Sequence, residues 1–120
     1  MRIFKSKWFM KWANKQGIDD RSLKMAVEEI NAGLVDADLG GNVVKKRVAQ
    51  NQGKRSGFRT ILAFKAGENV FFIYGFTKNV RANVDARELK ALKQLAKMLL
   101  SYNDVQLRRA IEAGGIEEVM

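Results

Sequence analysis

The sequence predicts an α+β domain with a small antiparallel sheet: a central three-strand meander plus an N-terminal strand, two N-terminal helices and one or two C-terminal helices. Apolar residues recur at helical spacing toward both ends of the chain. The middle is rich in Val, Ile, Phe and Tyr, the residues that favour strands. Glycine pairs and polar stretches separate the two patterns. A length of 120 residues fits a single domain over 1–120, large enough for a core of its own.

Residues 2–5 read as a short first strand. Ser6 is placed to cap a helix running to about Gln16, with Phe9, Trp12 and Ala13 on one stripe and Gly17 as the stop. Phe9 and Trp12 on that stripe read as core. Asp19 or Asp20 starts a second helix, in which Leu23, Ala26, Val27 and Ile30 share a face and which Gly33 ends. Residues 34–42 read as a polar loop containing Gly40-Gly41. That pair lacks the Gly-x-x-x-x-Gly-Lys spacing of a nucleotide loop and is taken as a turn.

Residues 42–49, 57–66 and 70–77 form the meander. A polar, basic loop at 50–56 joins the first two strands, and a turn at 66–69 joins the last two. Alternation puts Val70, Phe72, Tyr74 and Phe76 on one face of the last strand, with Phe71 and Ile73 on the other. Asp85 then caps a helix with Glu88 three residues on, and Leu89, Leu92, Leu95, Ala96 and Leu99 carry its apolar stripe to about Ser101. Asn103 or Asp104 begins a further helix that ends at Gly114-Gly115. Residues 116–119 are a last short strand or a tail.

The chain has no Cys, His or Pro. Without Cys there are no disulfides and no thiolate chemistry. Without His there is no zinc site of the usual kind, no serine–histidine catalysis and no histidine pair for RNA cleavage. The acid pairs Glu28-Glu29 and Glu117-Glu118 are neighbours in sequence, which do not face each other on a helix, so no metal site and no cofactor is expected. Lysines interrupt the apolar residues at the start, and the longest apolar stretch, 70–76, is far too short to span a bilayer. The reading is a cytoplasmic protein that does not use a membrane.

Charge is the most informative feature. Between residues 39 and 84 lie Lys45, Lys46, Arg47, Lys54, Arg55, Arg59, Lys65, Lys78 and Arg81, against the single acid Glu68. This stretch carries nearly all of a formal net charge of +9. A basic block within strands points to a polyanion, and most directly to nucleic acid. Lys45 and Arg47 share one strand face, while Val44, Lys46 and Val48 share the other. Adjacent like charges on a sheet repel by a few tenths to about 1 kcal/mol per pair, a cost that a bound anion removes. Arg59 sits among apolar strand residues, where it suits either bidentate phosphate contact or an ion pair with a helix acid. Lys78 and Arg81 follow the end of the third meander strand. Lys46, Lys54 and Arg55 are read as contacts to the RNA backbone.

The chain resembles the RelE/HigB-like toxins of the RelE/ParE superfamily, from type II toxin–antitoxin systems. The resemblance is carried by residues 40–49 (GGNVVKKRVA), 53–61 (GKRSGFRTI), 71–79 (FFIYGFTKN), Arg81-Ala82-Asn83 and Glu88-Leu89. It implies a ribosome-dependent endoribonuclease, an mRNA interferase that cuts translated mRNA in the 30S decoding site and is neutralised by a cognate antitoxin. In such toxins the catalytic groups are largely Arg and Lys on the sheet face, joined in many members by a Tyr or His near the C-terminal end. The matching cations are Lys45 and Arg47 (or Lys46 under a one-residue slip), Arg59, Lys78 and Arg81. Arg59 and Arg81 are expected to stabilise the phosphorane, and Lys45 or Arg47 to assist proton transfer. No Tyr follows Arg81, where Asp85 stands instead, and Tyr102 lies too far along to take the role, so the general base is unassigned. The competing readings are a ParE-like inhibitor of gyrase, a catalytically inactive RNA-binding module, and a basic subunit neutralised by an acidic partner.

Overall fold

The structure is a computed structural model and describes residues 1–49 and 57–120. Its elements run β1 (Ile3–Ser6), α1 (Lys7–Gln16), α2 (Asp20–Asn31), β2 (Ala37–Gly40), β3 (Val43–Val48), β4 (Phe58–Ala63), β5 (Val70–Thr77), α3 (Ala86–Leu100), α4 (Asp104–Glu112) and β6 (Ile116–Glu118). Among the described residues the strands form one sheet in the order β2-β3-β4-β5-β1-β6, antiparallel except where β1 lies parallel to β5. The fold is α+β as expected, but with six strands rather than four.

The helices begin where their caps predict. Ser6, Asp19, Asp85 and Asn103 each accept a hydrogen bond from the backbone N–H three residues on. This satisfies one of the four donors that a helix start leaves without a partner. The two added strands are short edges. Residues 37–40, expected as loop, pair with β3 through a tight turn in which Gly40, Gly41 and Asn42 all take positive φ. Residues 116–118 settle the open choice at the C-terminus as a strand against β1.

The sheet is covered on both faces. On one, α1 and α2 bury Phe9, Leu23, Val27 and Ile30 against Val44, Leu62 and Phe72. On the other, α3 and α4 bury Ala96, Leu99 and Leu107 against Val43, Ile61 and Phe71. A strand in such a three-layer stack is apolar on both sides, which explains the unbroken run of β5. Along that run the expected alternation fails. The register with β4 shifts between Ile61 and Leu62, so β5 carries an extra residue there. Phe72 stays with the α1/α2 core, whereas Tyr74 and Phe76 join Phe71 on the α3/α4 face. Among the described residues, no helix is long and apolar enough to cross a membrane.

Candidate active site

Strand register builds the site. β3 pairs Arg47 with Arg59 and Lys45 with Ile61; β4 pairs Arg59 with Phe76 and Ile61 with Tyr74. Two cross-strand rows result on the α3/α4 face: Lys45–Ile61–Tyr74, and Arg47–Arg59–Phe76 beside it. Strands lie about 4.8 Å apart, so the three cations and the phenol are within reach of one phosphodiester. Burial is graded. Ile61 and Phe76 are buried, Lys45, Arg59 and Tyr74 are half-buried, and Arg47 is exposed. The stem of Arg47 lies beside Gly57, where an added Cβ would lie 3.2 Å from its Cγ. Asp36 accepts a hydrogen bond from the Arg47 backbone N–H.

Arg81 reaches the same region from the turn after β5. Its Nη1 donates to the Tyr74 hydroxyl at 3.3 Å and to Glu88 Oε2 at 2.7 Å, and Nη2 donates to the other Glu88 oxygen. Nε donates to the carbonyl of Asn83 at 2.9 Å, and the guanidinium carbon stands 5.9 Å from the Phe76 ring centre. The fork is held rigidly, and Glu88 takes both of its ends, so Arg81 stands in this site as one half of an ion pair and keeps one Nη2 N–H for a further acceptor. Glu88 also accepts from the Asp85 N–H at 3.0 Å, completing the capping box of α3. The bidentate bond from Arg81, with the backbone bond from Asp85, holds the Glu88 carboxyl down at about 2. The same pairing raises Arg81 further above its already high value.

Trp8 of α1 stacks on Tyr74 with ring centres 4.4 Å apart and planes 27° from parallel, and remains 47% exposed. Tyr74 is thus held by an aromatic wall on one side and a guanidinium at its oxygen. Reading from the sequence missed it, because strict alternation put Tyr74 on the face with Phe72. A tyrosine directly before a glycine inside a strand, Gly75 under Trp12, was the available signal.

The remaining expected residues are placed as follows. Lys78 is exposed in the turn between β5 and Arg81. Lys46 faces the other layer. It is 8% exposed, and its Nζ lies 3.1 Å from Glu29 of α2. The one-residue slip is therefore not the register adopted, and the Lys46 ammonium is directed away from the cation rows. Lys54 and Arg55 lie outside the described residues. Lys45, Arg47 and Lys78 form no ion pair among the described residues. Among those residues no cluster of acidic side chains is arranged to hold a metal ion.

A family model described as RelE toxin of RelE / RelB toxin-antitoxin system matches residues 1–119. No curated protein matches the chain significantly.

Proposed function

The chain belongs to the RelE family of toxins from toxin–antitoxin systems, and from that premise we propose that it is a ribosome-dependent endoribonuclease that cuts translated mRNA in the cytoplasm. The observation that carries this reading is the register that stands Arg47 beside Arg59 on a face also reached by Arg81 and Tyr74. Such a site suits RNA, whose own 2′-OH is the nucleophile, so the protein need not supply one. The 2′-oxygen bonds to the adjacent phosphorus as its proton leaves. The bond from phosphorus to the 5′-oxygen breaks as that oxygen gains a proton. The products are a 2′,3′-cyclic phosphate and a 5′-hydroxyl.

Negative charge gathers on the phosphoryl oxygens in this transition state. Arg59 and Arg81 stabilise it, and loss of one such donor costs about 10²–10³-fold in rate. Tyr74 is assigned one proton transfer and Lys45 or Arg47 the other. The decoding site positions the message and aligns the 2′-oxygen. A bound antitoxin restrains the toxin until it is released.

Brief induction in bacteria from a tightly repressed promoter, followed by mapping of mRNA 5′ ends, tests the reading against an Arg59→Ala/Arg81→Ala variant. Codon-phased cuts that disappear in the variant are expected. Growth arrest without cuts would sink the ribonuclease reading and point to another target, such as gyrase.

A further inference from the structure

Helix α3 bears a second basic surface that the proposed chemistry does not use. Lys90, Lys93 and Lys97 recur at i, i+3 and i+7, which aligns them along one side of the helix. Lys65, from the connection after β4, faces them across a groove of about 870 Å³. Ala86, Leu89 and Leu100 line the same groove. Glu68 is its one acid, and among the described residues none of the four lysines forms an ion pair. The stem of Lys93 lies against the Gly40-Gly41 turn, where a Cβ on Gly41 would sit 3.2 Å from it. The groove is at the Asn42 end of β3, roughly 16 Å along the strand from Arg47 at ~3.3 Å per residue.

The helix above this groove is thinly covered. Of its apolar residues only Ala96 and Leu99 are buried; Leu89, Leu92, Leu95 and Leu100 are half-buried, and Met98 is 47% exposed. An apolar floor flanked by unpaired cations complements a ligand with an apolar ridge flanked by anions. RNA fits it less well. The lining offers no aromatic ring for stacking and no arginine fork for phosphate, only lysine point charges above leucines.

We propose that the α3 groove docks an acidic amphipathic helix of a partner protein, with that helix's apolar stripe on Leu89 and Leu100 and its carboxylates against Lys65, Lys90, Lys93 and Lys97. The antitoxin implied by family membership is the partner that such a surface would serve. The proposal does not rest on the ribonuclease reading, since the groove and the cation rows share no residue.

The test is titration of the full chain with a helical Leu/Glu/Ala peptide (leucines at i, i+3, i+4 and i+7, glutamates flanking) and with a twin carrying Lys for Glu. The acidic peptide is expected to bind and shift the Leu89 and Leu100 methyl resonances, while the twin does not bind. Lys93→Glu/Lys97→Glu weakens binding by about tenfold or more. Lys11→Glu/Lys15→Glu, on exposed positions of α1 and with the same change in net charge, leaves it within about twofold. No binding would overturn the proposal. So would equal weakening by both variants, which would mean general attraction to a basic protein. Displacement of the peptide by a single-stranded RNA at the same lysines would make the groove a nucleic-acid surface instead.

Discussion

Tyr74 accepts a hydrogen bond from Arg81 and lies flat on Trp8, so its oxygen is aimed by two contacts that do not depend on substrate. Removing that oxygen while keeping the ring tests the proton transfer proposed for it. Tyr74→Phe is expected to lower the single-turnover rate of mRNA cleavage on ribosomes by about 10²-fold or more, with little change in thermal stability. Glu88 presents a separate, structural test. Its folded-state carboxyl is depressed from the ordinary 4.5 to about 2. A depressed acid contributes stability that is present above the ordinary value and is lost as pH falls toward the folded one. Urea midpoints should therefore decline between pH 4.5 and about 2, and the decline should be shallower in Glu88→Gln. Parallel declines would mean that the Arg81–Glu88 clamp adds nothing to the folded state.

Sequence pattern and structure part company within single elements, for identifiable reasons. The helices were legible because their starts are marked by local chemistry: Ser6, Asp19, Asp85 and Asn103 bind their own backbone whatever the rest of the chain does. The shared face of Lys45, Arg47 and Arg59 was legible because β3 and β4 pair without a slip over those positions. Tyr74 was not, because the extra residue in β5 comes from how that strand meets β4, and period-two counting carries no sign of it. Strand β2 was hidden by its polar composition; it is held by pairing to β3 and by Leu39 against the α3/α4 core. Nor was the partner of Lys46 legible, because Glu29 is brought to it only by the packing of α2 on β3. Gly75 sets the position of α1: a Cβ there would lie 2.2 Å from the Trp12 ring. Gly75→Ala should destabilise the protein by about 1–3 kcal/mol in urea unfolding, through overpacking of that contact. An unchanged midpoint would show that α1 shifts freely on the sheet.

Across the whole molecule the net charge is +9, and two of its cation clusters stand toward opposite ends of one sheet face. The cation rows stand at the Arg47 end of β3, and the lysine groove of α3 at the Asn42 end. Such a charge raises encounter rates with a polyanion before any specific contact forms. Phosphate contacts release counterions, so affinity for single-stranded RNA should fall linearly on a log–log plot against salt. Arg47→Ala is expected to reduce that slope by about 0.7, the value for one phosphate on a single strand, whereas Lys46→Ala leaves it unchanged. The most direct measurement of the central claim is cleavage of a defined message by purified protein, with and without programmed ribosomes, comparing the wild-type chain with Arg59→Ala. The account predicts cuts only on ribosomes, 2′,3′-cyclic phosphate ends, and a rate about 10²–10³-fold lower in the variant. Equal cleavage by the variant, or none by the wild-type chain on translating ribosomes, would contradict it.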